Sequence, residues 1–388
     1  MRVRHQARYP NLAASRQGGT TFQGIQISAY PHGQVATYTR SLTELHVPTR
    51  IKVNAFLHRT QDPNRGLLPA MISKDDFENT REENPHGILV LDGALATELE
   101  RRGHNLEGAL WSAEILRTDP AAIKQVHLDY YLAGANVVTT ASYQASVRGL
   151  SEHCGMSAGS AVDLIRLSVE LACQARDAAY ASGRVSRQRR LLVAGSIGPF
   201  GAYLADGSEY RGDYTRTVEE FRAFHRPRIA ALVDAGVDML AIETMPNHTE
   251  IQAVLSLLNE EFPTAIAWLS CTVKDAEHLS DGLSLRQLAS LANANEQIVA
   301  LGVNCIHVDL VSAALTAVSS VWKRPLVCYP NSGEVYDAAS HTWSGDRSYG
   351  RLAEHVLQWR TAGARLIGGC CRTGPEDIEQ IVKTLRGA

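Results

Sequence analysis

The sequence predicts an α/β protein whose main part is a (β/α)8 TIM barrel, preceded by a poorly ordered N-terminal extension. From Gly87 onward, eight short apolar runs alternate with longer segments of helical period. The runs are apolar at consecutive positions, which indicates strands that are buried on both faces, as a parallel sheet requires. Eight alternations of strand and helix match this barrel, and a chain of 388 residues is long enough to form it.

The predicted strands follow one another at intervals that leave room for a helix between each pair. They are the runs at 87–93, 135–140, 191–196, 238–243, 265–270, 298–303, 325–329 and 365–368. Segment 163–172 is predicted to be helical, because its apolar residues recur at spacings of three and four. The alternative fold is a doubly wound open sheet, but segment 92–96 lacks the glycine-rich dinucleotide-binding turn that such a sheet would need.

Residues 1–86 are predicted to be the extension, and residues 87–388 the barrel. The extension is rich in Arg, His, Gln, Ser, Thr and Gly and shows no sustained helical or strand period. Five arginines and no acidic residue precede Glu44, which is the charge bias of an organellar transit peptide, although a misassigned start would give the same composition. Segment 73–83 is typical of a linker or a short surface helix.

Composition and charge narrow the class of protein. An apolar content of 45% and a net charge of -3 are ordinary for a water-soluble protein and give no basic excess for binding nucleic acid. The sequence has no apolar run of about 18 residues, so we expect no membrane span. Seven irregularly spaced cysteines without a secretory signal predict reduced thiols and a cytoplasmic protein, with the mitochondrion as the alternative compartment.

Three cysteines are candidate metal ligands. Cys370 and Cys371 follow two glycines at the end of the last predicted strand, and Cys305 ends the sixth. Adjacent thiolates on a tight turn can reach one soft ion, and catalytic zinc commonly takes three protein ligands. The pattern favours Zn²⁺ at these three residues. The alternatives are cysteines that pack as small apolar side chains, or a strained disulfide between Cys370 and Cys371.

Polar residues also stand at the ends of most other predicted strands, where barrel enzymes place their chemistry. Asp92 and Glu243 end the first and fourth strands, although acidic residues there can instead cap helices or pair with arginine. Two carboxylates facing a thiolate-bound metal suggest a substrate with an ammonium group and a soft atom. Further candidates for substrate binding are Thr140, Ser142, Ser196 and Asn304.

The predicted metal site indicates a thiol substrate. Zinc held by three thiolates is electron-rich, so it is better suited to holding a fourth thiolate than to generating hydroxide. A free thiol, with a pKa of about 8.5, is only a few per cent ionised at neutral pH, whereas a coordinated thiol is fully deprotonated. An activated methyl group on a sulfonium is the natural electrophile for such a nucleophile.

Seven segments resemble the homocysteine S-methyltransferase family and occur in the order of that family. They are LDGALATELERRG (91–103), TTASYQAS (139–146), AGSIGPFGAYLADGSEYRG (194–212), AIETMPN (241–247), LGVNC (301–305), YPNSGEVYD (329–337) and IGGCCRT (367–373). Residues 1–86 have no counterpart in this pattern. The resemblance covers about three-quarters of the chain, from Gly87 to Arg386.

The resemblance implies a zinc barrel in which Cys305, Cys370 and Cys371 hold the metal, with the homocysteine sulfur as the fourth ligand. It also implies that Asp92 and Glu243 contact the homocysteine amino group. The methyl donor it implies is S-methylmethionine, or less efficiently S-adenosylmethionine, and the product is methionine. The alternatives are methylation of another thiol or selenol such as selenocysteine, and a zinc- or thiol-sensing barrel without turnover.

Overall fold

The structure, a computed structural model, describes residues 71–106, 110, 112–337, 342–344 and 351–388. Within these ranges, eight parallel strands form one sheet, which confirms the predicted α/β barrel. They are β1 (Leu89–Val90), β2 (Val137–Thr139), β3 (Leu192–Ile197), β4 (Met239–Met245), β5 (Ala267–Cys271), β6 (Ile298–Asn304), β7 (Leu326–Tyr329) and β10 (Ala364–Ile367). Their order is β1-β10-β7-β6-β5-β4-β3-β2, and a bridge between Leu91 and Val137 brings β1 beside β2. Each predicted strand is therefore present.

Helices precede, separate and follow the strands, and most of them cover the outside of the barrel. They are α1 (Lys74–Glu82), α2 (Leu95–Arg101), α3 (Ser112–Thr118), α4 (Pro120–Ala133), α5 (Val147–Cys154), α6 (Ala158–Ala181), α7 (Phe200–Leu204), α8 (Ser208–Arg211), α9 (Val218–Ala235), α10 (His248–Glu261), α11 (Leu285–Asn293), α12 (Val311–Ser319), α13 (Arg351–Thr361) and α14 (Pro375–Gly387). Short 3-10 helices occupy Pro85–Gly87 and Val308–Leu310, and β8 (Val335–Asp337) pairs antiparallel with β9 (Thr342–Ser344). The predicted helix at 163–172 lies within α6.

Apolar side chains pack in two layers on the two faces of the sheet. Met239 and Trp268 belong to the cluster inside the barrel, whereas their neighbours Leu240 and Leu269 belong to the cluster between the sheet and the helices. All four side chains are fully buried. Burial of both faces explains why the strands are apolar at consecutive positions.

Helix α1 closes the N-terminal end of the barrel. It begins with a capping box, in which Ser73 and Asp76 each bond the other's backbone nitrogen, so the predicted short helix is confirmed. Phe77 is fully buried in the cluster inside the barrel, and the Ile72 nitrogen donates to the Asp238 carbonyl oxygen at the start of β4 (3.0 Å). Helix α1 is therefore packed on the barrel and is not a linker.

The predicted boundary at residue 86 consequently has to be moved toward the N-terminus. Residues 71–86 belong to the folded part, because α1 contributes the buried side chain of Phe77 to the barrel interior. The rest of the predicted extension, residues 1–70 with their arginine-rich stretch, lies outside the described residues. None of the described helices is both long and apolar enough to cross a membrane.

Candidate active site

Three thiols meet at the C-terminal end of the barrel, as the sequence predicts. Cys305 follows β6, whereas Cys370 and Cys371 lie in the turn after β10, and β7 separates these two strands in the sheet. The three sulfur atoms all lie within 4.8 Å of one another, and Cys305 Sγ is 3.4 Å from Cys371 Sγ. Residues 66 positions apart in the chain are thus neighbours because parallel strands end at the same rim.

The turn that carries Cys370 and Cys371 depends on the two preceding glycines. A Cβ atom on Gly368 would lie 2.6 Å from Leu91 Cβ, and one on Gly369 would overlap the Thr373 side chain. The Thr373 hydroxyl in turn donates to the Cys370 carbonyl oxygen (2.6 Å). The glycines therefore allow the close approach that places both cysteines on one tight turn.

The thiol cluster fits a soft metal ion. A zinc–sulfur distance of about 2.3 Å in a tetrahedral site places two sulfur atoms roughly 3.8 Å apart. The observed separations, 3.4 Å for one pair and at most 4.8 Å for any pair, bracket this value. Hydrogen bonds from the thiols of Cys305 and Cys370 also hold the pKa of Cys371 well below its ordinary value. Three thiols that share their protons in this way form a suitable donor set for Zn²⁺.

Glu243 on β4 is a buried carboxylate held by two hydroxyl groups. Ser196 donates a hydrogen bond to Oε1, and Tyr329 donates one to Oε2 (3.0 Å). The indole nitrogen of Trp268 donates to the Tyr329 oxygen (2.9 Å), which directs the phenol proton toward Glu243. Burial raises the pKa of Glu243 to about 7, so the carboxyl is poised between its charged and neutral forms near neutral pH.

Asp92, which follows β1, is the second buried carboxylate. Its Oδ2 atom accepts hydrogen bonds from the backbone nitrogen (2.8 Å) and the hydroxyl (3.2 Å) of Thr139. Burial raises the pKa of Asp92 well above its ordinary value, and the nearby charge of Glu243 raises it further. A cation between the two carboxylates would relieve both effects.

A cavity of about 120 Å³ brings the thiols and carboxylates together. Its walls include the predicted residues Asp92, Thr140, Ser196, Glu243, Cys305, Cys370 and Cys371. This volume is partly enclosed, and it joins groups contributed by β1, β2, β3, β4, β6 and β10. Most of the predicted site residues therefore face one space.

Two predicted site residues, Ser142 and Asn304, do not line this cavity. The Ser142 hydroxyl donates to the Ser196 carbonyl oxygen (2.7 Å) and is bonded to the Thr140 hydroxyl (2.7 Å). The Asn304 amide accepts from the Thr244 nitrogen (2.8 Å) and donates to the Thr244 hydroxyl (2.8 Å). Both side chains are fully buried, so their polar groups support the strand ends and are not available to a substrate.

Eight further polar side chains line the cavity and are absent from the predicted set: Ser112, Thr139, Tyr143, Gln144, Glu209, Tyr210, Thr244 and Tyr329. Tyr143 and Gln144 follow β2, whereas Glu209 and Tyr210 lie on α8, in the loop after β3. The Tyr210 hydroxyl is 3.6 Å from Cys305 Sγ. The positions of the predicted strand ends do not indicate where α8 lies, because its place depends on how the loop after β3 folds back over the barrel. The available signal was the segment ADGSEYRG within the resemblance to the family.

Comparison with known proteins gives the family. A sequence model of the homocysteine S-methyltransferase family matches residues 89–385. Homocysteine S-methyltransferase from Escherichia coli (strain K12) is 54% identical over 292 residues, which cover 75% of this chain and 93% of that protein. Homocysteine S-methyltransferase YbgG from Bacillus subtilis (strain 168) is 47% identical over 304 residues, with 77% and 95% covered.

A solved structure agrees with the sequence comparisons. The crystal structure of the metallated form of the Escherichia coli homocysteine methyltransferase MmuM aligns with a TM-score of 0.69 and 52% identity. The alignment covers 76% of this chain and 95% of MmuM. The shared barrel and the matching family model lead to one conclusion: this chain belongs to the homocysteine S-methyltransferase family.

Proposed function

We propose that this enzyme transfers a methyl group from a sulfonium donor, S-methylmethionine or S-adenosylmethionine, to the sulfur of homocysteine and thereby forms methionine. The observation that carries the proposal is the convergence of three thiols and two buried carboxylates on one cavity. Homocysteine offers a matching pair of groups, a thiol and an ammonium. The names of the relatives, which are homocysteine S-methyltransferases, support this acceptor.

Cys305, Cys370 and Cys371 would hold a Zn²⁺ ion. When bound, zinc lowers the pKa of the acceptor thiol, so that the thiolate is available at neutral pH. Support for a metal comes from the chemistry of three adjacent thiols and from the MmuM structure, which is described as metallated. Zinc is the specific choice because its softness and coordination number suit three thiolates with one open position.

Asp92 and Glu243 would bind the homocysteine ammonium and so fix the direction of its sulfur. Both carboxylates are held by protein donors, namely Thr139 for Asp92 and Ser196 with Tyr329 for Glu243. Their remaining lone pairs are thus free for a cation in the cavity. Binding an ammonium between them would favour the charged form of each acid and offset the cost of burial.

The transfer itself requires no general base. The homocysteine thiolate forms a new bond to the methyl carbon, the bond from that carbon to the sulfonium sulfur breaks, and its electron pair makes the leaving sulfide neutral. The protein contributes by aligning the two sulfur atoms and by excluding competing nucleophiles, which is a positioning effect. S-methylmethionine as donor would give two molecules of methionine.

The function is tested by incubating the purified protein with homocysteine and each donor while following methionine and the demethylated product. Selenocysteine serves as a competing acceptor and tests the alternative substrate. We expect methionine to form with at least one sulfonium donor. If neither donor methylates homocysteine, the proposed reaction is wrong.

The metal site is tested by measuring zinc in three single variants, Cys305→Ser, Cys370→Ser and Cys371→Ser. Each is expected to lose zinc and turnover together, because three ligands are needed to hold the ion. Cys154→Ser is the matched control, since that thiol lies outside the cluster at the end of α5. Undiminished zinc in all three cluster variants would refute the assignment.

A further inference from the structure

Two buried oxygen atoms at the cavity find no hydrogen-bond donor among the described residues. They are Oε2 of Glu209 and Oε1 of Gln144, and both side chains line the cavity together with Cys305. Gln144 is only 7% exposed, and its Nε2 atom donates to the carbonyl oxygen of Ala202 (3.2 Å). Because a carbonyl oxygen can only accept, the NH₂ group of Gln144 must face Ala202, and Oε1 of Gln144 must point away from it. Buried acceptors without donors cost free energy, which a ligand with positive charge would recover.

The position of Glu209 is fixed by its surroundings. The Thr272 hydroxyl donates to the Glu209 carbonyl oxygen (3.0 Å) and so ties α8 to the end of β5. A Cβ atom on Gly201 would lie 2.6 Å from the Glu209 nitrogen, so the glycine allows α7 and α8 to pack in contact. The carboxylate makes no ion pair with any described residue, and Arg211 on the same helix pairs instead with Asp213 (2.9 Å). Glu209 is therefore a largely buried acid that has no ion-pair partner among the described residues and whose backbone is tied to β5.

The positive charges of the two substrates give a reason for Glu209, a third carboxylate at the cavity beside Asp92 and Glu243. Homocysteine brings one ammonium, which Asp92 and Glu243 are proposed to share. A sulfonium amino acid brings a further positive charge on sulfur and a second ammonium, and neither has a partner among those two acids. Burial raises the pKa of Glu209 to about 7, which reflects the cost of leaving its charge unpaired in this cavity.

We propose that Glu209 and Gln144 form the subsite that binds a positively charged group of the methyl donor. The proposal rests on the proposed function, because it assumes a sulfonium donor. The rings of Tyr143 and Tyr210 also line the cavity, and aromatic faces attract cations. The Tyr210 hydroxyl lies 3.6 Å from Cys305 Sγ, so the subsite adjoins the thiols where the acceptor sulfur is expected. The charge could be the sulfonium or the ammonium of the donor.

Glu209→Gln is the informative variant, because it removes the charge and keeps the shape. At saturating homocysteine, we expect the KM for S-methylmethionine to rise about 10- to 100-fold, the usual range for one lost charge-assisted contact. The kcat value should not fall if the sulfonium is bound, because the positive charge on sulfur is lost during transfer and the contact therefore stabilises the bound donor more than the transition state. Gln144→Met, which removes one neutral acceptor, should raise KM by about two- to tenfold.

A carbon isostere separates the two sources of charge. In 2-amino-5-methylhexanoate a neutral CH replaces the sulfonium sulfur, while the ammonium remains. If Glu209 binds the sulfonium, Glu209→Gln lowers the affinity for the donor and leaves the inhibition constant of the isostere unchanged. If Glu209 binds the ammonium, the variant weakens both ligands equally. Unchanged donor affinity, or a rise in KM for homocysteine instead, would overturn the subsite.

Controls keep the outcome independent of folding and of the proposed reaction. Thermal unfolding and zinc content identify a variant that is merely misfolded, and Glu243→Gln provides the contrasting variant, with its effect expected on homocysteine. Calorimetric titration with S-methylmethionine measures donor binding without turnover. A wild-type protein that binds this sulfonium through Glu209 but transfers no methyl group would therefore refute the proposed function and retain the subsite.

Discussion

Replacing Glu243 by glutamine tests how the enzyme selects its acceptor. The carboxylate is 8% exposed and faces the cavity that also holds the three thiols. If it binds the homocysteine ammonium, the substitution removes one charge-assisted hydrogen bond, worth about 1.5 to 3 kcal/mol. Since about 1.4 kcal/mol corresponds to a tenfold change, kcat/KM for homocysteine should fall roughly 10- to 100-fold.

The structure indicates how the amide of the Glu243→Gln variant would sit. The Tyr329 hydroxyl donates to the Glu243 carboxylate, and its oxygen accepts from the indole of Trp268 and can also accept from the Ser270 hydroxyl, 2.5 Å away. The oxygen of the introduced amide would therefore face Tyr329, and its NH₂ group would face Ser196, whose hydroxyl can turn and accept. Shape and hydrogen bonding are preserved, so the loss should reflect charge.

The assay is steady-state kinetics with homocysteine varied at saturating donor, accompanied by zinc analysis. Asp238→Asn is the matched control, because Asp238 is a buried acid beside the opposite end of β4, where it pairs with Arg176 (2.9 Å). That variant should lose stability while keeping kcat/KM. Loss of zinc from Glu243→Gln would show that Glu243 supports the metal, and normal use of homocysteine with impaired use of the donor would place it in the donor subsite.

Three further predictions concern pH, the metal and helix α1. The folded-state pKa of Glu243, about 7, exceeds the ordinary value of 4.5, so the stability it contributes is complete below pH 4.5 and is lost as pH rises through about 7. In chemical denaturation of the metal-free proteins, the free energy of unfolding of Glu243→Gln should rise relative to wild type as pH increases over this range, by at most about 3 kcal/mol. Parallel curves of unfolding free energy against pH would contradict the raised pKa. Chelation of zinc should abolish turnover while cooperative thermal unfolding persists, because the barrel core is independent of the thiols; loss of that transition would make the metal structural. Phe77→Ala should cost about 3 to 5 kcal/mol in denaturant unfolding, since the ring is fully buried, whereas Glu78→Ala at the neighbouring half-buried position, which removes one surface ion pair with Arg81, should cost under about 1 kcal/mol.

The sequence was most informative where one physical rule decided the outcome. Strands buried on both faces are apolar at every position, so the eight runs could be found without knowing the register of the sheet. Parallel strands end at one rim, so Cys305 and the Cys370–Cys371 pair could be placed together although 66 positions separate two of them. Those predictions needed only the strand ends and the topology.

Predictions failed where the outcome depended on tertiary packing. Phe77 is a single apolar residue between charged neighbours in α1, so no periodicity marked the helix as the cover of the barrel. Ser142 lies two positions beyond Thr140, but the chain leaves β2 there and turns its hydroxyl to the backbone of β3. Glu209 lies on the short helix α8, and tertiary contacts of its backbone with Gly201 and Thr272 hold that helix at the cavity.

The backbone at the rim suggests why Asn304 matters without touching a substrate. Thr244, Cys305 and Arg372 are three of the five non-glycine residues with positive φ in the described ranges: Thr244 is next to last in β4, Cys305 follows β6, and Arg372 lies in the turn after β10. Such backbone is strained and persists only where neighbouring contacts hold it. The Asn304 amide bonds both the nitrogen and the hydroxyl of Thr244, while its own backbone leads directly into Cys305. One buried side chain thus ties the strand that carries Glu243 to the strand that leads into Cys305, one of the proposed metal ligands. Glu243 is proposed to bind the ammonium of homocysteine, and Cys305 is proposed to help hold the metal that binds its sulfur. The barrel, and not the substrate, therefore fixes the distance between these two groups.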